Sequence, residues 1–370
     1  MTQMIKEILA DLVRIDSVST RSNAEIVKYL EQRCEALGLI TRRYPYTDEH
    51  GVEKINLIAL SHDVQEVELA LVGHTDTVPY DPNWSEATNL TERDGKLYGR
   101  GACDTKGFIA AALSAVETVK TNKPLALIFT ADEEVGLLGA KRLAQAKPLR
   151  VRYSIVGEPT SLKPIRAGKG YSLAEVIVKG REAHSAYPAL GASAVFRAAR
   201  LITRLESIAA QLKEEQHAAF DPPYTTLNVG LIHGGSAKNV LAGECRFTLE
   251  WRPIPTQPSE HVLKLFNAAI EEEIKADPDF QCLVDANRQD TGFETAPDSP
   301  LVRLLEKATG NESGTVAFGT EAAQMKLLGS EAVVIGPGDI REAHRTGEFV
   351  PVDELERCAE VLRQSIQQLC

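Results

Sequence analysis

The chain has 370 residues, of which 43% are hydrophobic and 25% are charged, and this length is too great for one ordinary compact core. The formal net charge of −11 argues against a nucleic-acid or anionic-membrane partner, and no apolar run approaches the roughly 18 residues of a membrane span. Small substrates are not excluded, because the local field of a site can oppose the net charge. We therefore expect two domains and a small-molecule ligand, with no nucleic acid and no membrane.

Helical and strand patterns alternate in the first part of the chain. This alternation predicts an α/β domain with a mixed, mainly parallel sheet. The periodicity predicts helices over residues 2–15, 23–38 and 105–120 and strands over residues 56–60, 67–72, 125–130 and 153–156.

The N-terminal segment and the cysteines bear on the cellular compartment. The segment MTQMIKEILADLVRI predicts an amphipathic helix with acidic residues, rather than the basic and apolar stretches of a secretory signal. The six cysteines are scattered and form no CxxC pair, which favours reduced thiols over a disulfide framework. We therefore expect a cytoplasmic protein.

The pattern changes near Tyr171. Residues 192–215 and 261–276 predict two amphipathic helices. Between them, the segment ECRFTLEWRP alternates apolar and polar residues, as in a half-exposed strand of an antiparallel sheet. Two helices on one face of such a sheet form a small two-layer α+β domain.

The α/β pattern resumes after about Cys282, with helices predicted over residues 301–309 and 352–369 and a short strand over residues 332–335. The simplest account is one α/β domain that is interrupted by the α+β domain. The predicted bounds are residues 1–170 and 282–370 for the α/β domain and 171–281 for the insertion.

Five turns that follow apolar segments contain acidic residues or histidines. In open α/β sheets, ligands gather at the carboxyl ends of the strands, so these turns would converge. Taken alone, GHTDTVP could be a hydrogen-bonded His–Asp pair that closes a loop. Taken alone, ADEEVG could be a helix N-terminus, where acidic residues favour the helix dipole. The agreement of all five favours one site. The turns are GHTDTVP with His74 and Asp76, GRGACDTKG with Asp104, ADEEVG with Glu133 and Glu134, GEPT with Glu158, and GPGDIREAHRTGEF with His344.

These residue types suit a pair of divalent cations. Imidazole nitrogens and carboxylate oxygens are both zinc ligands, and the two imidazoles and three carboxylates would be shared between the two ions. The four negative charges of three carboxylates and a bridging hydroxide balance the four positive charges of two zinc ions. Asp76 fits a partner that orients the ring of His74. Of the adjacent Glu133 and Glu134, one can bind metal while the other exchanges a proton with water. The sequence therefore predicts a two-metal hydrolase, with Zn²⁺ as the default and Co²⁺ or Mn²⁺ as substitutes.

Together, GHTDTVP, GRGACDTKG, ADEEVG and GEPT resemble the two-zinc aminoacylase and carboxypeptidase family, and the resemblance covers essentially the whole chain. It implies a zinc-peptidase-like catalytic domain with an inserted lid and dimerisation domain. It also implies that each subunit binds two Zn²⁺ ions. The implied ligands of one ion are His74, Asp104 and Glu158, and those of the other are Asp104, Glu134 and His344, so that Asp104 is the bridge.

The resemblance also implies residues for catalysis. Glu133 matches the general acid/base, and Asp76 matches the acid that orients His74. In the insertion, REAHSAYP matches the segment whose histidine, here His184, reaches the active site of the partner subunit and stabilises the oxyanion. The resemblance therefore implies a homodimer formed through the insertion, with closure of the domains before chemistry.

Substrate-binding residues follow from the same resemblance. Asn239 and Arg252 match residues that hold the substrate carboxylate, and a guanidinium suits this task because it grips a carboxylate with two parallel hydrogen bonds. The segment FGTEAAQ, with Gly319, Thr320 and Glu321, matches a substrate-side loop before the last ligand. We expect Glu321 to contact the cationic side chain of the substrate, because it places an acid beside this loop.

Within the family, GTEAAQ and GPGDIREAHRTGEFV look most like the members that remove acetate from N2-acetyl-L-ornithine in arginine biosynthesis. Gly347 is one departure, because family members usually have asparagine there, whereas Glu348 keeps the family pattern. The alternatives are another N-acyl amino acid, such as acetylcitrulline or succinyl-diaminopimelate, or a small peptide for a carboxypeptidase of the same family. A non-catalytic binding or structural relative would have lost metal ligands or the base, and all six of those positions are occupied.

Overall fold

The computed structural model describes residues 2–370, which form two compact units. The first unit comprises the residues up to Arg166 together with Glu294–Gly314 and Thr320–Cys370, and the second comprises Ala167–Phe293 and Thr315–Gly319. These bounds differ from those of the predicted insertion, residues 171–281, because the residues that follow position 281 form a strand of the second unit.

The helices and strands are numbered in chain order. The helices are α1 (Thr2–Arg14), α2 (Ala24–Ala36), α3 (Lys106–Glu117), α4 (Leu138–Ala146), α5 (Ala194–Gln211), α6 (His261–Ala276), α7 (Pro300–Thr309), α8 (Ala322–Leu327) and α9 (Val352–Leu369). The strands are β1 (Ile40–Thr47), β2 (Glu53–Leu60), β3 (Glu66–His74), β4 (Thr91–Arg93), β5 (Lys96–Tyr98), β6 (Leu125–Thr130), β7 (Arg150–Val156), β8 (Ile165–Gly168), β9 (Tyr171–Lys179), β10 (Thr226–Gly234), β11 (Glu244–Arg252), β12 (Gln281–Asp290), β13 (Phe293–Glu294), β14 (Gly314–Val316), β15 (Glu331–Val334) and β16 (Phe349–Pro351). None of the helices within residues 2–370 combines the length and the hydropathy that a membrane crossing requires.

Six strands of the nine-stranded central sheet lie wholly within the first unit, in the order β1-β2-β6-β3-β7-β15. Strands β6, β3, β7 and β15 run parallel to one another, while β1 and β2 add antiparallel pairings. A parallel strand is covered on both faces, which is why β6, LALIFT, is apolar and buried throughout. Helix α3 packs against α1 and α9 and supplies buried residues to the same core. The predicted α/β domain with a mixed, mainly parallel sheet is confirmed.

The parallel register brings three strand ends to one edge of this sheet. His74, the last residue of β3, pairs with Thr130, the last residue of β6, and Val72 pairs with Val156 at the end of β7. Because the carboxyl ends of parallel strands share one edge, the loops that follow β3, β6 and β7 meet there.

The second unit is a two-layer α+β structure. Its antiparallel sheet has the order β10-β11-β9-β12, and α5 packs on this sheet and beside α6. The alternation in β11 buries Phe247, Leu249 and Trp251 in one hydrophobic cluster with residues of both helices, while Arg246 is exposed. The predicted α+β layer is therefore confirmed in this strand and these helices.

Candidate active site

The predicted metal ligands and the predicted general acid/base lie in the first unit, at strand ends and in the turns that follow them. His74 ends β3, and Asp104 lies in the Gly-rich turn that precedes α3. Glu133 and Glu134 follow β6, and Glu158 follows β7. Segments that are far apart in the sequence therefore supply residues to one edge of the sheet.

Asp104 lies between two imidazoles. Its Oδ1 is 3.0 Å from Nε2 of His74, and its Oδ2 is 3.2 Å from Nε2 of His344. Oε2 of Glu134 is 3.0 Å from the same nitrogen of His344. Ligand atoms of His74, Asp104 and Glu134 lie within 4.8 Å of one another, a spacing that a metal ion can span. A carboxylate whose two oxygens face different imidazoles has the arrangement that a bridging ligand requires.

The other carboxylates of this cluster are buried close together. Burial raises the pKa of Glu133 well above its usual range, and the neighbouring carboxylates add to this rise. Burial and the charge of Asp104 likewise raise the pKa of Glu158 well above its usual range. Burial also raises the pKa of Glu134, although the hydrogen bond with His344 opposes the rise. A nearby cation stabilises the ionised form of carboxylates that are crowded in this way.

The pKa of Asp104 is lowered, whereas the pKa values of the two imidazoles beside it are raised. Burial would raise the pKa of Asp104, but hydrogen bonds with His344 and His74 hold it well below its usual range. Burial would lower the pKa of His74, but Asp104 raises it well above its usual range. Hydrogen bonds with Asp104 and Glu134 raise the pKa of His344 to about 10. Each of these pKa shifts comes from hydrogen bonds between imidazole nitrogens and carboxylate oxygens, atoms that could also bind a metal ion.

This donor set fits divalent cations of the zinc type, because it consists of imidazole nitrogens and carboxylate oxygens with an excess of negative charge. Nδ1 of His74 is 3.0 Å from the backbone carbonyl oxygen of Asp76, which fixes the ring and leaves Nε2 facing Asp104. The thiol of Cys103 lies 3.6 Å from the carbonyl oxygen of Asp339, so its sulfur is engaged outside the donor set.

Asp76 acts on His74 through a different atom from the one that the resemblance implies. Its carboxylate is 3.7 Å from Nδ1 of His74, and the backbone carbonyl accepts the hydrogen bond instead. The carboxylate accepts hydrogen bonds from the backbone N–H groups of Glu133 (3.0 Å) and Glu134 (3.2 Å) and from the hydroxyl of Ser19 (2.8 Å). Asp76 therefore orients His74 through its main chain and holds both glutamates through its side chain.

Glu348 holds the main chain of the bridging residue. Its Oε1 accepts hydrogen bonds from the N–H groups of Cys103 (2.9 Å) and Asp104 (3.1 Å). Its Oε2 is 2.5 Å from Nη1 of Arg100, and both side chains are buried. The sequence alone indicates no role for Glu348. The available signal was that HRTGEF keeps the glutamate of the family pattern, but the sequence does not place this residue beside Asp104.

Thr320 and Glu321 precede α8 in the first unit, and both are buried. The carboxylate of Glu321 makes no well-formed hydrogen bond within residues 2–370. Burial raises its pKa to about 7, while the charge of His74 and the hydroxyl of Thr130 oppose this rise. Glu321 therefore adds an acid to the cluster without a bonded partner of its own, and a cationic group would satisfy it.

His184 and Asn239 lie in the second unit, on neighbouring segments. The backbone of His184 forms an isolated bridge with Val240, and the N–H of Ser185 donates to the carbonyl oxygen of Asn239 at 2.9 Å. Both predicted site residues are exposed. The structure thus brings these two residues together within the unit.

Arg252 and Gly319 also lie in the second unit. The guanidinium of Arg252 stacks 4.3 Å from the ring centre of Tyr171, and its Nε donates to Glu250 at 2.9 Å. These contacts constrain the side chain at the end of β11 and leave it partly exposed. Gly319 is the last residue of the second unit before the chain returns to the first at Thr320.

A family model matches most of the chain, and a curated relative matches nearly all of it. The model of the family described as peptidase family M20/M25/M40 matches residues 70–368. The chain is 51% identical to an acetylornithine deacetylase from Myxococcus xanthus, and the alignment covers 99% of this chain and 97% of that relative.

Solved structures share the fold. A tripeptidase from Staphylococcus aureus aligns with a TM-score of 0.77 at 23% identity, over 100% of this chain and 98% of that chain. An M20 family metallo-carboxypeptidase from Sulfolobus solfataricus aligns with a TM-score of 0.75 at 18% identity, over 98% of each chain. A dinuclear metal-binding peptidase of the M20 family from Bacillus subtilis aligns with a TM-score of 0.67 at 13% identity, over 100% of this chain and 98% of that chain. The predicted zinc-peptidase-like fold is confirmed.

Proposed function

We propose that this chain, which belongs to peptidase family M20/M25/M40, removes acetate from N2-acetyl-L-ornithine in arginine biosynthesis. The family and the 51% identical relative make the chain a metal-dependent amidohydrolase. The observation that best supports the reaction class is the carboxylate of Asp104 between the imidazoles of His74 and His344, with Glu133 half-buried in the same cluster. The substrate is proposed from the name of the relative, acetylornithine deacetylase.

Two Zn²⁺ ions per subunit are the proposed cofactors, with Co²⁺ or Mn²⁺ as substitutes. His74, Asp104 and Glu158 would hold one ion, and Asp104, Glu134 and His344 would hold the other. The buried acidic cluster supports this assignment, because bound cations would offset the repulsion between its carboxylates. When bound, such ions polarise the acetyl carbonyl and lower the pKa of water in the site.

Glu133 is the proposed general acid/base. Its carboxylate takes a proton from the attacking water and returns it to the departing α-amine, so that the amide is cleaved to acetate and ornithine. Its raised pKa supports this role, because the carboxyl group can hold the proton until the amine leaves. The hydrogen bonds from the N–H groups of Glu133 and Glu134 to Asp76 hold the base beside a metal ligand.

The substrate is proposed to bind through charges at both of its ends. Glu321 would accept hydrogen bonds from the cationic side chain, and its buried, unpaired carboxylate supports this assignment. Arg252 and Asn239 would hold the substrate carboxylate. Gly319 and Thr320, which directly precede Glu321, would form the substrate-side loop. An ammonium group would supply both the charge and the donors that Glu321 lacks.

We further propose a homodimer formed through the second unit, with residues 171–281 as the lid and dimerisation domain and His184 stabilising the oxyanion in the partner subunit. Large exposed apolar side chains of the second unit support an interface there, since a partner that covered them would remove apolar surface from water. They include Phe196, Leu231, Ile232 and Leu283.

We propose a cytoplasmic location because the cysteines are reduced. All six are free thiols, and five of them are buried. Reducing compartments keep cysteines in this form, whereas oxidising compartments favour disulfides.

A panel of N-acyl substrates tests the proposed function. We expect kcat/KM with zinc supplied to be highest for acetylornithine and at least about tenfold lower for acetylcitrulline, acetylmethionine and succinyl-diaminopimelate, since an unpaired buried Glu321 penalises uncharged or acidic side chains. A higher kcat/KM for one of the other three compounds would show that acetylornithine is not the preferred substrate. No hydrolysis of any of them by zinc-loaded protein would overturn the proposal.

A further inference from the structure

Lys54 is a buried cation in a strand whose other buried residues, apart from Asn56, are apolar. It lies in β2, where every residue after Glu53 is buried, and it is 1% exposed. Its ammonium is 2.8 Å from Oδ1 of Asp132 and 2.9 Å from the carbonyl oxygen of Arg21, and it also donates to the carbonyl oxygen of Ser19. Two carbonyl oxygens therefore accept hydrogen bonds from this ammonium group, and the carboxylate of Asp132 balances its charge as an ion pair.

Asp132, the partner of Lys54, immediately precedes the proposed base. Its second oxygen accepts a hydrogen bond from the hydroxyl of Tyr46 at 2.8 Å. Its backbone is left-handed, with φ of 56°, and a residue other than glycine holds this conformation only where its surroundings impose it. Lys54 and Tyr46 supply that constraint, because they bind the two oxygens of the same carboxylate.

Glu133 is held from its other side by Asp76, and Ser19 connects the two anchors. The hydroxyl of Ser19 donates to Oδ2 of Asp76, and its carbonyl oxygen accepts from Lys54. Oδ1 of Asp76 accepts from the N–H of Glu133. The contacts form a closed ring that runs from Lys54 through Asp132, Glu133, Asp76 and Ser19 back to Lys54.

We propose that Lys54 is a positioning residue for the reaction: by fixing Asp132, it holds the main chain of Glu133 so that the proposed base faces the metal ligands. The identity of the step that it supports rests on the proposed function, whereas the placement of the loop does not. A proton-transfer group acts only from a narrow range of positions, so loosening the loop slows turnover more than it weakens substrate binding.

The test compares Lys54→Met and Lys54→Arg with a matched control, Asp48→Asn. Asp48 is the other carboxylate beside Lys54, at 3.9 Å, and it lies on the β1–β2 connection rather than on the loop of the base. The Arg variant restores a cation that can reach the same carbonyls and Asp132. Tyr46→Phe removes only the second anchor of Asp132, and it provides the test if Lys54→Met yields no folded protein.

We expect Lys54→Met to lower kcat by about 100-fold, with KM changed less than about threefold and the metal content unchanged. Amide hydrogen exchange over residues 131–137 should become faster in this variant, with or without substrate. Lys54→Arg should recover at least about tenfold of the lost kcat, and Asp48→Asn should match the wild type in both measurements. Tyr46→Phe should lower kcat by about two- to fivefold and give intermediate exchange.

Folded Lys54→Met protein with unchanged exchange over residues 131–137 would overturn the inference, whatever substrate the enzyme uses. The inference would also be overturned if Lys54→Met lowered the stability of the protein but left kcat per folded molecule at the wild-type value. Lys54 would then be only a structural residue. If the wild type hydrolyses no N-acyl amino acid, the proposed function fails, and the exchange comparison still decides whether Lys54 fixes the loop.

Discussion

The two units hold their predicted functional residues in different ways. In the first unit, the predicted ligands His74, Asp104 and Glu158 are buried, whereas His344 is exposed. Neighbouring side chains fix the main chains of this cluster: Glu348 binds the N–H of Asp104, and Asp76 binds that of Glu133. In the second unit, His184 and Asn239 are exposed on segments joined by backbone hydrogen bonds. Contacts within the first unit therefore fix the main chain of its cluster, whereas the side chains of His184 and Asn239 lie at the surface of the second unit.

Replacing the base should break the reaction while leaving the first unit intact. Glu133→Gln should lower kcat by about 10³- to 10⁴-fold, because the amide cannot take the proton of the attacking water. Metal analysis should still find two ions per chain, since Glu133 is not a proposed ligand. Glu134→Gln is the control, because it should lose metal as well as turnover. Substantial turnover by Glu133→Gln would refute the assigned role.

His184 offers the corresponding test in the second unit. His184→Ala should lower kcat by about 10²- to 10³-fold, because one hydrogen-bond donor to the oxyanion is lost. Metal content and thermal stability should stay at the wild-type values, because the ring is exposed. A wild-type kcat in this variant would show that the second unit supplies no group to the reaction at this position.

Glu321 sharpens the comparison because it belongs to the first unit but is proposed to recognise the substrate. Glu321→Ala should reduce the ratio of kcat/KM for acetylornithine to that for acetylmethionine by about 10- to 100-fold, since the ammonium group loses its charged partner. The kcat for acetylmethionine should change by less than about threefold. An unchanged ratio would exclude Glu321 as the residue that selects a cationic side chain.

The smallest effect is a pH-dependent change in stability. The pKa of Glu321 is raised from its ordinary value of 4.5 to about 7, so folding favours the protonated form. The carboxylate therefore costs no stability below pH 4.5, and its cost grows as the pH rises through 7. In metal-free protein, Glu321→Gln should have the wild-type Tm near pH 4.5 and a Tm a few degrees higher above pH 7. The same Tm difference at both pH values would contradict this account.

Elements with a strong periodic pattern could be predicted from the sequence. The bounds predicted for β6, α6 and α9 agree with the structure, because one face or the whole segment is apolar. Strand β1 was missed, because ITRRYPYT is an edge strand with mostly polar, exposed side chains. Strand β12 was missed for the same reason, since QCLVDANRQD alternates between exposed and half-buried positions.

His74, Glu133, Glu134 and Glu158 were predictable because they lie at or just after the ends of parallel strands, which share one edge of the sheet. Asp104 was predictable from the Gly-rich turn that precedes α3. The contacts that hold them were not predictable. The carboxylate of Asp76 binds the turn after β6 rather than the ring of His74, and this depends on how distant segments meet. The role of Lys54 shows no signal in the sequence, because a lysine near the start of a buried strand does not reveal the carboxylate that faces it.

We propose that the first unit binds two divalent cations, one on each side of Asp104. Crystals of zinc-loaded protein, with anomalous diffraction measured above and below the zinc edge, test it most directly. The account predicts two peaks about 3.5–4 Å apart, one beside His74 and Glu158 and the other beside Glu134 and His344, with Asp104 contacting both. A single peak, or two peaks that do not share Asp104, would contradict it.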